Sequence, residues 1–231
     1  FVGDKEITLQ SESGQVWSPK NFDGKTNGVV PLYLALNRSL NLAMVNLGVT
    51  LGLEEVQKQF ELLTGRKPRN QFPSFLLGAE PMSPIEVSEL YSNFASGGFN
   101  LKPKAVIDVL DSAGAPLSHH SIVLKQTITP EISNTLNRSL ELTMRRGTGR
   151  FSSFSKLGVA GKTGTTNDNR DSWFAGFDDN KLAVFWVGRD DNKSTGLSGA
   201  SGALKLWDAS LLRIGSSPLS IPTDETFVDI E

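Results

Sequence analysis

A chain of 231 residues, 38% hydrophobic and 21% charged, can bury a core and reads as one globular domain with short appendages. A formal net charge of −2 with no basic stripe excludes a nucleic-acid surface, and the absence of cysteine excludes disulfides, thiolate catalysis and cysteine-ligated metal. Its apolar runs are too short to span a bilayer, so no membrane segment is expected in this chain.

Residues 1–28 are turn-rich, with Ser13-Gly14, Ser18-Pro19 and Asp23-Gly24. The spacing predicts a short helix over Pro31–Leu36, an interruption at Ser39-Leu-Asn41, and a second apolar helix from Leu42 to about Leu51. A third helix, Glu54–Leu63, carries Val56, Phe60 and Leu63 on one face and stops at Gly65. Residues 66–82 read as an irregular loop. Ser83-Pro-Ile-Glu86 is a capping box with proline at the first helical position, opening a helix that runs to Gly97-Gly98.

Val106–Leu110 and Ile122–Leu124 are expected to pair as a hairpin around Ser112–Pro116. Thr129-Pro130 starts a helix with Ile132, Leu136, Leu140 and Met144 in register, ending before Gly147. The period then changes to that of strands at Leu157–Thr166, Ser172–Phe177 and Leu182–Val187. The third of these is apolar on both faces and needs cover on both sides. A last helix places Ala203, Leu204, Trp207 and Leu211 at helical spacing. Residues 1–214 form the expected domain, and 215–231 an acidic tail or linker.

Chemistry concentrates in Val159-Ala-Gly-Lys-Thr-Gly-Thr-Thr-Asn167. On an extended strand, Gly161 and Gly164 leave room for another backbone, while Lys162, Thr163 and Thr165 can meet a carboxylate. A phosphate loop is the nearest alternative, but Lys156 stands where its first glycine belongs, and Gly164–Asn167 makes a poor first helical turn. A chance Lys-Thr-Gly and a plain core strand are the other readings. Ser39 and Asn41 form a second polar feature: in an extended connector they face one side while Leu40 turns inward. The same pair also fits an interhelix cap for the helix from Leu42.

Ser39-x-Asn41 followed far downstream by Lys162-Thr-Gly164 gives two of the three elements shared by penicillin-binding proteins and serine β-lactamases. Together with Arg146-Gly-Thr-Gly-Arg150, Asp171-Ser-Trp-Phe-Ala-Gly176, Trp186-Val-Gly-Arg-Asp190 and Gly199-Ala-Ser-Gly202, the chain resembles class A penicillin-binding proteins, the bifunctional peptidoglycan synthases, over most of residues 10–212. The resemblance implies a mixed α/β (α+β) fold of the penicillin-binding-protein/β-lactamase transpeptidase type. That fold is a mainly antiparallel sheet with helices on both faces, here without its N-terminal part.

It also implies peptidoglycan DD-transpeptidation of D-Ala-D-Ala stem peptides through a serine acyl-enzyme, inhibited by β-lactams, with no cofactor or metal. Lys162 would bind the substrate's terminal carboxylate, Thr163 and Thr165 would offer it hydroxyls, and the Thr165 N–H would form half of the oxyanion hole. Ser39 would relay a proton to the leaving amine, and Asn41 would hold the substrate amide. Thr163, Gly164, Thr165 and Thr166 form the substrate-binding strand, alongside which the peptide adds as a further strand.

The family's Ser-x-x-Lys nucleophile does not precede Ser39. Ser153-Phe-Ser-Lys156 matches it only by coincidence, downstream and between Gly149 and Gly158. The nucleophile is therefore expected in a missing N-terminal part of the same protein, anchored in the bacterial inner membrane and working on its periplasmic face. Residues 1–231 alone are expected to be inactive. Two other readings stay open: a hydrolytic DD-carboxypeptidase or β-lactamase, and a non-catalytic binding or sensor module. His119-His120 reads as an exposed turn, Arg145, Arg146 and Arg150 as helix-end or steering cations, and Trp173 and Trp186 as sheet packing.

Overall fold

The computed structural model describes residues 1–10 and 14–222. Its centre is an antiparallel sheet in the order β11-β10-β9, formed by Ala160–Thr165 (β9), Ser172–Phe177 (β10) and Leu182–Val187 (β11). The registers Thr165↔Ser172 and Ser172↔Val187 follow from the two short polar turns that the sequence places between these strands. The outer edge of β9 pairs with no described strand.

Four short strands, Val2–Asp4 (β1), Leu9–Gln10 (β2), Val16–Trp17 (β3) and Gly28–Val30 (β4), pair as β1-β4 and β2-β3. Helices Leu32–Arg38 (α1), Asn41–Leu51 (α2) and Leu53–Thr64 (α3) follow, then a 3-10 turn at Pro73–Leu77 in the expected loop. Helix Pro84–Ala95 (α4) begins at the capping box: Ser83 Oγ accepts the Glu86 N–H and the Glu86 carboxylate accepts the Ser83 N–H.

The expected hairpin is re-paired. Asp108–Leu110 (β6) meets Pro116–His119 (β7) rather than 122–124. The Asp111 carboxylate accepts the N–H groups of Ala113 and Ala115 and closes the turn after Leu110, which brings the nearer segment alongside. Leu124–Gln126 (β8) returns instead to Phe99–Leu101 (β5).

Helix Pro130–Arg146 (α5) has the expected bounds, and Leu140, Met144 and Leu136 face the core as expected, while its first turn does not. Ile132 is 55% exposed, whereas Ser133 and Asn137 are buried. Both donate, at 2.9 Å, to the carbonyl of Phe94 at the end of α4. A helix end buried against another helix needs its carbonyls satisfied, and these two side chains meet that demand.

Helix Ala203–Ile214 (α6) covers one face of the sheet through Ala203, Leu204, Trp207 and Leu211, packed on Phe174 and Val159. On the opposite face Phe177 and Ala160 pack with Leu140 of α5 and with Tyr91 and Phe94 of α4. Helices thus cover both faces, as an all-apolar strand requires. Residues beyond α6 lie against this body: the Ser216 hydroxyl and Ser217 N–H donate to Asp178, and the Leu219 N–H donates to the Gly158 carbonyl. The remainder of the expected tail, 223–231, lies outside the described residues.

Candidate functional site

Helix α1 brings Ser39 to the sheet edge through a Schellman ending. The Ser39 N–H bonds the Leu36 carbonyl and the Leu40 N–H bonds the Ala35 carbonyl, with Ser39 left-handed at φ 55°, ψ 48°. Ser39-Leu-Asn41 is therefore a helix ending and not an extended connector, and Asn41 is already the first residue of α2. Nor does this pair cap α2. Asn21 does so from a distant loop, its Oδ1 accepting the Leu42 N–H at 3.0 Å. Asn21 Nδ2 also binds the buried Asp4 carboxylate at 2.8 and 3.0 Å. Asn41 donates to the Lys20 carbonyl at 2.9 Å, so the two polar side chains engage different elements.

Strand β9 supplies the other wall. Lys162 Nζ donates to Ser39 Oγ at 2.8 Å and to the Thr163 carbonyl at 3.0 Å. Burial of this ammonium lowers its pKa from the usual 10.5 to about 8. The Thr166 N–H bonds the Asp171 carbonyl on the β10 side. By the alternation of an antiparallel ladder, the Thr165 N–H therefore turns to the open edge of β9. The Thr165 hydroxyl accepts the Gly199 N–H at 2.9 Å, which leaves its own proton available to a ligand. Thr166 turns toward the fold, its hydroxyl donating to Asp171 at 2.9 Å. Asp171 also accepts the Trp186 indole N–H, and Trp186 packs on Trp173 with ring centroids 6.1 Å apart.

The strand glycines serve internal packing. A Cβ on Gly161 would come within 2.5 Å of the Phe174 ring, so this bare position admits an aromatic ring of the core. Gly164 lies against Trp173 and beneath Gly199, where a Cβ would stand 2.6 Å from the Gly164 carbonyl.

A turn after α5 completes the wall, and its Thr148 had no role in the sequence reading. The Thr163 hydroxyl donates to the Thr148 hydroxyl at 2.7 Å. The Thr148 N–H donates in turn to the carbonyl of Asn37 on α1 at 3.1 Å. A Cβ on Gly147 would stand 2.2 Å from that carbonyl, and one on Gly149 2.5 Å from Met144 Sδ. Gly-Thr-Gly is the local signal: two bare positions around a hydroxyl mark a loop pressed between elements. Asn37 is buried, its amide nitrogen oriented to donate to the carbonyls of Ser139 and Tyr33 and to the Thr143 hydroxyl, at 2.9, 3.1 and 3.0 Å. The site thus joins Ser39, Lys162, Thr163, Thr165 and Thr148; Asn41 adjoins it on the Lys20 side.

A cleft of about 360 Å³ beside this turn is lined by Arg145, Arg146, Arg150, Ser155 and Lys156. Arg150 stacks over Phe151 and donates to the Gly147 carbonyl. Ser153 and Lys156 lie in successive turns, with the Ser153 N–H on the Asp208 carboxylate. His119 is exposed on its hairpin, 2.6 Å from Asp108. Among the described residues no group of His, Cys, Asp and Glu could hold a metal, and no helix is long and apolar enough to cross a membrane.

The family model of the penicillin-binding protein transpeptidase domain matches residues 3–205. Penicillin-binding protein 1B of Vibrio cholerae is 39% identical over 207 residues, covering 88% of this chain and 27% of that protein. Penicillin-binding protein 1B of Escherichia coli is 36% identical, covering 100% of this chain and 28% of that protein. The chain therefore spans less than a third of the length of these relatives.

Among solved structures, penicillin-binding protein 1A from Haemophilus influenzae matches with a TM-score of 0.84 at 23% identity, over 96% of this chain and 40% of that one. The PonA1 protein from Mycobacterium tuberculosis, in complex with penicillin V, matches with a TM-score of 0.76 at 19% identity, over 96% and 66%. These two show the same fold.

Proposed function

The chain belongs to the penicillin-binding protein transpeptidase family, and we propose that it forms one wall of a peptidoglycan DD-transpeptidase site in the intact protein. The observation that carries this reading is the 2.8 Å contact between Lys162 Nζ and Ser39 Oγ beside a strand edge that pairs with no described strand. A stem peptide ending in D-Ala-D-Ala lies along β9 as an added strand, past Thr163, Gly164, Thr165 and Thr166. Its terminal carboxylate meets the Thr163 and Thr165 hydroxyls in the positive potential of Lys162.

A serine supplied from outside residues 1–231 attacks the penultimate carbonyl carbon. The developing oxyanion receives the Thr165 N–H, a donor worth about 3–4 kcal/mol when aimed at the tetrahedral oxygen. The C–N bond to the terminal D-Ala breaks, and the leaving nitrogen takes, through Ser39, the proton that the attacking serine hydroxyl gives up, with the Lys162 ammonium holding Ser39 in place. Asn41 orients the substrate amide. An amine from a second stem then attacks the ester, the C–O bond to the serine breaks, and the proton the amine loses restores the serine hydroxyl as the new amide forms. β-lactams acylate the same serine. The intact protein works on the extracytoplasmic, periplasmic face, tethered to the inner membrane, with the rest of its own chain as partner of this wall.

The test is product analysis of the intact protein with a D-Ala-D-Ala stem peptide and an amine acceptor. Cross-linked peptide with free D-Ala is expected. Release of D-Ala with no cross-link assigns a hydrolase, and no turnover assigns a binding module.

A further inference from the structure

We propose that Thr148 is a positioning residue for substrate-carboxylate recognition, acting through the hydroxyl of Thr163; the proposal rests on the transpeptidase reading above. Thr163 has one hydroxyl proton, and without substrate that proton goes to Thr148 Oγ1 at 2.7 Å. A carboxylate arriving at β9 takes the proton for itself, because hydrogen bonds to charged acceptors are the stronger ones. The Thr163 oxygen then needs a donor on its other side. Thr148 is the group in reach, and its hydroxyl turns to donate to Thr163. The result is a chain, carboxylate ← Thr163 ← Thr148, whose links strengthen one another.

The backbone around Thr148 is built to hold that hydroxyl still. Its N–H is tied to the Asn37 carbonyl, and the neighbouring N–H groups of Gly147 and Gly149 both bond the Thr143 carbonyl. Cβ atoms on either glycine would collide with Asn37, Thr143 or Met144, so the loop can lie this closely against α1 and α5 only with glycine at both places. Asn37 sits two residues before Ser39. One buried anchor therefore sets both the hydroxyl behind Thr163 and the helix ending that delivers Ser39 to Lys162.

The experiment uses the intact protein with its nucleophile, and compares acylation by benzylpenicillin with acylation by its methyl ester, which lacks the anionic carboxylate. Thr148→Val keeps the β-branch and removes the hydroxyl. It is expected to lower the second-order acylation rate with benzylpenicillin by about 10-fold and to leave the ester within about 2-fold. Thr148→Ser restores the benzylpenicillin rate, and Thr148→Val adds nothing in a Thr163→Val background. Equal losses on acid and ester, no rescue by serine, or full additivity overturns the proposal while leaving the transpeptidase reading in place. An unaltered intact protein that benzylpenicillin does not acylate overturns that reading, and this one with it.

Discussion

Replacing Lys162 by methionine tests whether the fold holds this ammonium against its solvation. Burial lowers its pKa from 10.5 to about 8, so between these values the unfolded chain binds more protons than the folded one. Stability from this group therefore rises with pH across that window and is least when both states are charged, below pH 8. The two values give a gain of about 2 kcal/mol for the wild-type chain between pH 7 and pH 9.5. Lys162→Met has no such group. Every other titration cancels in the difference between the two proteins.

The assay is urea unfolding of both at pH 7 and pH 9.5. Wild type is expected to gain about 2 kcal/mol on the variant, or about 1 M in relative midpoint at a slope of about 2 kcal/mol per M. The offset at pH 7 mixes relief of desolvation with loss of the bonds to Ser39 and Thr163. The pH trend is free of that mixture, and parallel profiles refute the reasoning.

Gly147→Ala is expected to cost about 1–3 kcal/mol in urea unfolding, because its Cβ meets the Asn37 and Thr143 carbonyls and not a flexible side-chain end. A change within 0.5 kcal/mol refutes that packing argument. Asn21→Ala is expected to cost about 1–3 kcal/mol at pH 7, since it strips the Leu42 N–H of its cap and Asp4 of two contacts. Burial alone would raise the Asp4 carboxyl, but hydrogen bonds from Asn21 and Asn27 hold it below its ordinary value. The stability they contribute to ionised Asp4 is present above about pH 4 and is lost as pH falls through the lowered pKa, so the gap between wild type and variant should narrow in acid toward the share of the Leu42 cap. A gap that stays constant down to pH 2 contradicts this.

Where local chemistry is strong, the chain was legible. The Ser83 capping box, Gly65 after α3, and the apolar face of α6 need only residue spacing, and each element stands where it was expected. The sheet was readable for the same reason, since short polar turns leave three adjacent strands no other pairing. Failures came where a distant partner decides. In the first turns of α5, Ser133 and Asn137 turn inward to the Phe94 carbonyl while Ile132 stays exposed, which no periodicity reveals.

At the candidate site, the motifs identified the strand and the serine, but not how they meet. Ser39 reaches Lys162 from a helix ending whose left-handed geometry the sequence disguised by using serine where glycine is usual. Thr148 escaped assignment because its meaning lies in a hydroxyl 15 residues further on.

That helix ending sets fold and chemistry against each other at a single residue. A left-handed serine costs about 1 kcal/mol that glycine would not, and the Schellman bonds at Leu36 and Ala35 need only the backbone. Selection for a sturdier domain would drift toward Ser39→Gly and discard the hydroxyl that touches Lys162. Position 39 thus exchanges about 1 kcal/mol of backbone strain for the hydroxyl that holds Lys162.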